Sequence, residues 1–253
     1  MLSDQILIFD IKSEYGHFRK FNTTTSPLTY SIPTRPAIVG LLGAILGIER
    51  EFASGKFPEG SMPVADLFSK ENAGIAVQII HPVKKTNTAF NLLNTEKTAS
   101  SFFNIKQRTQ IEFELLKAPH FRIFVSLKEK GLFTDLHKRI EGNRLHFTPY
   151  LGLSQFTATV EYKGVSKAVK NTSNDFVAVI TAVNLNNALP DNPVAFNYAK
   201  EFKYTSDTMP VVMQNDRRVT EYAEVIMETN GHPVAVRSEH ILQLPDWGNI
   251  LFL

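Results

Sequence analysis

The sequence of 253 residues contains no cysteine. This absence excludes a disulfide framework, a thiolate zinc site and a cysteine nucleophile. The chain also carries little excess charge, because 27 Lys and Arg against 25 Asp and Glu give a net charge of +2. A strongly basic, tail-type nucleic-acid binder is therefore excluded, whereas a binder with one local basic groove is not.

Long apolar runs and sorting signals are scarce as well. The longest apolar run, Ala37 to Ile48, has twelve residues, whereas a bilayer span needs ~20. The first residues lack a basic segment and include the acidic Asp4, which is not the pattern of a secretory signal. The sequence therefore predicts a cytoplasmic protein without a membrane partner.

Familiar cofactor and catalytic motifs are missing too. The chain has neither the phosphate-binding pattern GxxxxGK[ST] nor the dinucleotide pattern GxGxxG. Its seven histidines do not form the zinc motif HExxH, and the nucleophile motif GxSxG does not occur. We therefore expect no metal and no cofactor.

Hydrophobic patterning predicts an α+β fold. The order of elements is strand, helix, strand, strand, helix, strand, which is the split βαβ pattern of ferredoxin-like and RRM-like folds. We assign residues 1–165 to this domain and residues 166–253 to a smaller C-terminal β region, in which Asn230-Gly231 is a hairpin turn signal. The predicted strands are Gln5 to Lys12, Ala73 to Ile80, Phe121 to Lys128 and Phe156 to Tyr162, and the helices start at Pro36 and Leu132.

Residues 84–119 form an arm of different composition. The window from Lys84 to Lys130 holds nine Lys and Arg against four Asp and Glu, and the arm is predicted to be a protruding β-hairpin. Cations that alternate with aromatic rings suit single-stranded nucleic acid, because the charges follow phosphates and the rings stack on bases. A surface hairpin with a small apolar anchor remains the alternative. The candidate RNA-binding residues of the arm are Lys84, Lys85, Phe90, Asn91, Arg108 and Gln110, together with Lys97, Lys106, Phe102 and Phe103.

A second candidate site lies between the first strand and the first helix. The stretch from Ser13 to Thr34 has no helical period, and a loop of this length is usually functional or disordered. Cations beside a helix N-terminus, followed by glycines on one helix side, favour a phosphate cradle. The alternative is an ordinary loop above a helix that packs tightly on a sheet. The candidate residues are His17, Phe18, Arg19, Lys20, Thr34, Arg35, Gly40 and Gly43.

Catalysis has only weak candidates in this sequence. Cleavage of RNA without a metal needs a general base for the 2′-hydroxyl and a general acid for the leaving oxygen. Tyr15, His17 and Lys20 form one such set, and His81 with Lys84 forms another.

Several segments resemble the fifth family of CRISPR-associated proteins, of the RAMP superfamily, and specifically its type I-B branch. The longest is GHFRKFNTTTSPLTYSIPTRPAIVGLLGAILG at residues 16–47. The segments NLLN at 91–94, RTQIEFELLKAPHFRIFV at 108–125 and PYLGLSQFTATV at 149–160 resemble the same branch. The similarity extends over most of residues 5–165.

This resemblance implies a non-catalytic subunit of the Cascade surveillance complex in antiviral defence. The subunit would bind the 5′ handle of the CRISPR RNA, clamp RNA with the hairpin as a thumb, and cap the backbone. Implied partners are the backbone subunit, the large subunit and, through the complex, target DNA. In the type I-C branch the family member also cleaves repeat RNA, so a metal-independent endoribonuclease is the alternative. A protein-interaction module, whose basic arm docks an acidic partner, is the third hypothesis.

Overall fold

The computed structural model describes residues 2–21, 26–48, 62–93 and 108–253. Its N-terminal part is built on an antiparallel sheet of four strands in the order β3-β6-β1-β7. Along the chain, one long helix follows the strand Gln5–Lys12 and another follows the strand His120–Leu127. The predicted ferredoxin-like α+β fold is therefore confirmed. The elements are β1 (Gln5–Lys12), α1 (Arg35–Leu46), β3 (Ala73–Ile79), β6 (His120–Leu127), α3 (Lys130–Glu141) and β7 (Thr159–Lys167).

The central strand β1 is buried on both faces. Leu7, Phe9 and Ile11 pack in the same core as the helices. Ile6 and Ile8 alternate with them, because neighbouring side chains of a strand point to opposite faces, and they pack in a second cluster. Coverage on both sides explains why this strand is a continuous apolar run rather than an alternating one.

Strands from the C-terminal region cover the second face. They form a three-stranded sheet, β10-β13-β12, and a six-stranded sheet, β11-β14-β9-β16-β15-β8. Leu244 and Ile250 pack against Ile6 and Ile8, and Met209 and Leu253 belong to the helix-side core. The strands are β8 (Val169–Lys170), β9 (Val177–Val179), β10 (Val183–Asn184), β11 (Val194–Ala195), β12 (Tyr204–Met213), β13 (Val219–Glu228), β14 (Val234–Val236), β15 (Leu242–Leu244) and β16 (Gly248–Ile250), with a 3-10 turn at Leu185–Asn187.

The predicted boundary at residues 165–166 falls inside β7, which extends to Lys167. Side chains from both sides of that boundary share one core, as Met209 and Phe9 do. The division into two domains was predicted from the order of strands and helices along the chain and stays a prediction, because that order does not report how two segments pack against each other.

The hairpin predicted at Asn230-Gly231 is wrong. β13 pairs with β10 and β12, whereas β14 lies in the other sheet between β9 and β11. The turn passes the chain between sheets: the Glu228 carboxylate accepts hydrogen bonds from the backbone N–H of Asn230 (3.0 Å) and of His232 (2.7 Å). Gly231 has φ +92° and lies against the carbonyl oxygen of Ile79, where a Cβ would approach to 2.7 Å.

The arm is a β-hairpin, as the sequence predicted. β4 (Lys85–Leu93) pairs with β5 (Arg108–Lys117), and the short β2 (Tyr15–Gly16) adds to β5 at Leu116 and Lys117. The outer part of the hairpin therefore extends beyond β2. Four of the candidate RNA-binding residues lie outside the described residues: Lys97, Phe102, Phe103 and Lys106.

The described parts of the segment from Ser13 to Thr34 are packed rather than free. Phe18, Tyr30 and Ile32 are buried in the main core, and Arg19 forms an isolated bridge with Thr29. The short helix α2 (Val64–Leu67) completes the helical elements of the described residues. None of these helices is long and apolar enough to cross a membrane.

Candidate nucleic-acid interface

The second face of the ferredoxin-like sheet is closed by the C-terminal region. A Cβ on Gly74 would overlap the ring of Phe252, and the guanidinium of Arg122 lies 4.8 Å from the ring centroid of Trp247. RRM-type stacking of bases needs exposed aromatic side chains on that face. The sheet face of this protein is therefore not available for stacking, in keeping with the absence of the RRM consensus from FRIFVSLK.

One edge of that face carries a buried acid among cations. The Asp10 carboxylate is 1% exposed. It accepts two hydrogen bonds from Arg122 (2.7 and 3.0 Å) and one from His120 Nε2 (3.0 Å), while Lys163 Nζ lies at 3.5 Å. Burial alone would raise the pKa of Asp10, but the hydrogen bonds and charges of Arg122 and His120 outweigh it and hold the pKa below its usual value.

This arrangement orients His120, a residue that the sequence interpretation did not select. Its Nε2–H donates to Asp10, so the neutral ring has Nδ1 free of a proton and able to act as a base. The rings of His81 and His120 are 4.7 Å apart. The sequence did contain a signal for this site, because Asp10 is a carboxylate within the apolar run QILIFDIK. A charge that is buried in a strand is paired with an opposite charge, so Asp10 indicates a nearby cation.

The hairpin has one polar and one apolar face. Directly paired residues of two strands lie on the same face, and so does every second residue along one strand. Asn91 pairs with Gln110, and Lys85, which pairs with Leu116, lies on the same face as Asn87 and Asn91. Lys85, Asn91, Arg108 and Gln110 thus lie on one face, as a row of amide and cationic groups. Glu112 and Glu114 lie on the same face, so its charge is balanced and its polar character comes mainly from the amides. Lys84 and Lys117 are exposed at the hairpin base, where Lys117 N–H donates to the carbonyl of Lys84.

The base of the hairpin is fastened to the packed loop by Glu114. Its carboxylate accepts from the Thr29 N–H (3.0 Å) and from Lys85 Nζ (3.2 Å), and Lys85 also donates to the Thr29 carbonyl (2.9 Å). The backbone carbonyl of Glu114 accepts from His17 Nδ1 at 2.8 Å. These contacts fix the angle at which the hairpin leaves the body.

His17 is a structural residue of this hairpin base. Burial lowers its pKa, partly opposed by the hydrogen bond to Glu114, so the ring is neutral at pH 7. Because a carbonyl accepts from Nδ1, Nε2 carries no proton, and it is buried without a hydrogen-bond partner. The rings of Phe90, Phe113 and His17 form a chain, with centroids 4.9 and 5.3 Å apart. Phe90, a candidate RNA-binding residue in the sequence, is half-buried in this anchor.

The proposed catalytic set of Tyr15, His17 and Lys20 is divided among different partners. Tyr15 lies in β2, with its ring 6.1 Å from that of Phe156. Lys20 forms an ion pair with Asp207. With His17 held in the hairpin base, the three side chains do not form one acid-base group.

The predicted phosphate cradle at the start of α1 is only partly formed. Thr34 is the N-cap and its hydroxyl accepts from the Ala37 N–H (3.4 Å). Arg19 is exposed, and Phe18 is buried in the core. The guanidinium of Arg35, predicted to face phosphate, points inward and donates from Nη2 to the carbonyls of Phe68 and Ala73, both at 2.9 Å. An interior guanidinium needs such acceptors, because burying it without partners is costly; burial lowers its pKa to about 10.

The glycines of α1 differ in their surroundings. A Cβ on Gly40 would have nothing within 4 Å, and Gly40 lies between two grooves of about 430 and 260 Å³. A Cβ on Gly43 would come within 3.1 Å of Val64. Gly43 therefore permits close packing of α1 on α2, whereas Gly40 leaves an open position on the helix surface.

No group of three or more metal-ligating side chains is found in the part of the chain that the structure describes.

Comparison with known proteins gives one family and one fold. The family model described as CRISPR-associated protein (Cas_Cas5), named Cas_Cas5d, matches residues 6–227. A chain from a solved "CRISPR RNA-guided surveillance complex" is 12% identical, with 92% of this chain and 91% of that chain covered and a TM-score of 0.52. A chain from the cryo-EM structure of the Type III-B Cmr-beta bound to cognate target RNA and AMPPnP is 13% identical, with 91% and 86% covered and a TM-score of 0.51. At such identities the likeness shows the fold alone, and no curated protein sequence matches the chain.

Proposed function

The chain belongs to the family of CRISPR-associated proteins described as Cas_Cas5, and from this membership we propose that it is an RNA-binding subunit of a CRISPR surveillance complex. In this role it binds the 5′ handle of the CRISPR RNA without cleaving it. Its partners are the backbone and large subunits and, through the complex, target DNA, all in the cytoplasm. The segments at residues 16–47 and 108–125 support assignment to the type I-B branch, although the matching family model carries the label Cas5d.

The observation that carries this proposal is the contrast between the sheet and the hairpin. The C-terminal region closes the sheet face on which RRM-type domains stack bases. The hairpin, in contrast, extends from the body with exposed amides at Asn91 and Gln110 and an exposed guanidinium at Arg108. Amides and guanidinium groups hydrogen-bond to base edges and phosphates. RNA therefore binds at the hairpin rather than on the face of the sheet.

The anchoring of the hairpin supports the same role. The contacts of Glu114 with Thr29, Lys85 and His17 fix the base, and the chain of rings from Phe90 to His17 supports one face. A hairpin that is held at its base presents its polar face in a defined direction. Such preorganisation lowers the entropy that is lost when RNA binds.

The test replaces the polar face and compares it with the opposite face. In the full chain, Asn91→Ala, Arg108→Gln and Gln110→Ala are combined, and Thr88→Ala with Thr109→Ala serves as the matched control on the other face. We expect the triple variant to bind CRISPR RNA at least about tenfold more weakly, with a log–log salt slope lower by about 0.7 for the lost phosphate contact. The control is expected to bind as the wild type does. Equal binding by all three proteins in a fluorescence anisotropy titration would contradict the proposal, and an unaltered RNA affinity with lost subunit assembly would favour a protein-docking role.

An endoribonuclease remains the second candidate because of the ring pair His81 and His120 beside Asp10. An imidazole that is oriented by a carboxylate is a common general base. The assay incubates labelled repeat RNA with the protein in EDTA. Discrete cleavage that is lost in His120→Ala would establish the enzyme and refute the non-catalytic role.

A further inference from the structure

The segment 196–204, which comprises the connection from β11 to β12 and the first residue of β12, carries a group of aromatic rings on the surface of the C-terminal region. Tyr198 is 91% exposed and Phe196 is 42% exposed. Phe196 belongs to a row of rings: the centroids of Phe196 and Tyr204 are 5.0 Å apart, those of Tyr204 and Phe202 are 6.1 Å apart at an interplanar angle of 13°, and those of Phe202 and His232 are 4.7 Å apart. Two exposed aromatic side chains in one short segment form an apolar patch of the kind that marks an interaction site.

This segment is held by a dense set of hydrogen bonds. The Asn197 N–H donates to the Tyr204 hydroxyl (3.2 Å), the Ala199 N–H to Asn197 Oδ1 (3.0 Å), and the Phe202 N–H to the Ala199 carbonyl (3.1 Å). The exposed rings are therefore presented by a defined loop conformation.

Glu228 joins this loop to the turn that follows β13. Its buried carboxylate accepts from the backbone N–H of Lys203 (2.6 Å), Asn230 (3.0 Å) and His232 (2.7 Å). Three N–H groups saturate much of the acceptor capacity of one carboxylate. The Glu228 carboxylate thus stabilises the loop and the turn, while its own charge stays buried.

The exposed charges around the rings are mostly cationic. Lys200 and Lys203 are exposed, against one exposed acid, Glu201. Lysine is depleted at the cores of protein–protein interfaces, whereas cations beside stacking rings are typical of single-strand nucleic-acid surfaces. The composition therefore favours a nucleic-acid strand over a protein partner.

The surface adjoins the base of the hairpin. The carbonyl of Thr229 accepts from the Val83 N–H at 2.8 Å, and Gly231 lies against the carbonyl of Ile79. Val83 is next to Lys84, one of the two exposed lysines at the hairpin base. The Thr229 N–H in turn donates to the Lys203 carbonyl (2.7 Å), so this turn connects the hairpin base with the segment that carries the rings.

We propose that the 196–204 segment binds unpaired RNA nucleotides by stacking them on Tyr198 and Phe196, so that RNA bound at the hairpin base continues across the C-terminal region. This inference rests on the proposed function, and it extends that function to a second contact site. Lys200 and Lys203 contact the phosphates of the stacked nucleotides.

The test separates stacking from charge with a short oligouridine that has no secondary structure. Phe196→Ala combined with Tyr198→Ala is expected to weaken binding about tenfold with an unchanged log–log salt slope, because rings but no phosphate contacts are lost. Lys200→Gln with Lys203→Gln is expected to lower the slope by about 0.7 for each contact. Phe176→Ala is the matched control, since Phe176 is 40% exposed in the same region and lies at the opposite end of β14; it is expected to bind as the wild type does.

The outcomes distinguish this inference from the proposed function. If the hairpin variants lose RNA and the Phe196/Tyr198 variant binds normally, the second site is refuted and the proposed function stands. If the wild type and the hairpin variants bind RNA equally poorly, the proposed function fails. Loss of subunit assembly with unchanged RNA affinity in the Phe196/Tyr198 variant refutes the stacking site in favour of a protein contact. A wild-type unfolding midpoint for each variant, measured by circular dichroism, confirms that the fold is intact.

Discussion

Replacement of Arg35 by methionine separates an RNA contact from a fold-stabilising role. The guanidinium is 4% exposed and donates to the carbonyls of Phe68 and Ala73. Methionine keeps much of the apolar stem but leaves both carbonyls without this donor, and a buried unsatisfied group costs ~1–3 kcal/mol. We therefore expect Arg35→Met to lower the free energy of unfolding by about 3 kcal/mol.

The contrasting variant is Arg19→Gln, at an exposed position of the same predicted cradle. Its effect on stability is expected to stay within about 0.5 kcal/mol. If Arg19 contacts a phosphate, its loss lowers the log–log salt slope of RNA binding by about 0.7. The Arg35→Met protein, where folded, is expected to keep the wild-type slope.

Two measurements decide between the roles: urea unfolding followed by circular dichroism, and fluorescence anisotropy of labelled CRISPR RNA over a series of salt concentrations. A wild-type urea midpoint for Arg35→Met together with a lower salt slope would refute this reasoning. It would mean that the guanidinium leaves its two carbonyls to bind RNA.

Two further predictions concern α1 and the buried acid. Gly40→Ala is expected to raise the free energy of unfolding by up to ~1 kcal/mol, because nothing lies within 4 Å of the added Cβ. Gly47→Ala is expected to lower the free energy of unfolding, because Gly47 has φ +76° and its Cβ would overlap His146. Equal thermal midpoints of the two variants would contradict this prediction, and unchanged RNA binding by Gly40→Ala would remove Gly40 from the candidate site. Asp10→Asn is expected to cost about 3–5 kcal/mol at pH 7, since it breaks a buried pair with Arg122. The pKa of Asp10 is lowered in the folded state. The stabilisation by the ionised Asp10 carboxylate is therefore present above the unfolded-state pKa of about 3.9 and is lost as the pH falls through the lower folded-state pKa. An Asp10→Asn protein whose free energy of unfolding depends on acid pH as that of the wild type does would contradict this assignment.

The ferredoxin-like order of elements was predictable because each strand and helix has a strong local pattern. The run QILIFDIK and the alternation in FRIFVSLK specify strands, and Pro36 with the apolar face after it specifies α1. The hairpin was also predictable, from its position between two strands and its change of composition. These signals lie within single elements, so the sequence reports them directly.

The side-chain partners of the candidate residues were not predictable in the same way. Arg35 and Lys20 look like surface cations in the sequence, yet one binds interior carbonyls and the other pairs with Asp207, 187 positions away. The turn at Asn230-Gly231 misled for a similar reason, since its local pattern suits a hairpin but Glu228 and Ile79 direct the chain to another sheet. Contacts between residues that are distant in the sequence determine these partners, and no pattern of neighbouring residues indicates them.

The covering of β1 by the last strands has a consequence for how the chain acquires its structure during synthesis. Ile6 and Ile8 are synthesised long before Leu244 and Ile250, which pack on them. Contacts of such high sequence separation are slow to form because a long loop must close before they are gained. Until then the four-stranded sheet exposes an apolar face that favours association with other chains. Nascent chains halted before residue 240 are therefore expected to depend on chaperones or on rapid capture by partner subunits.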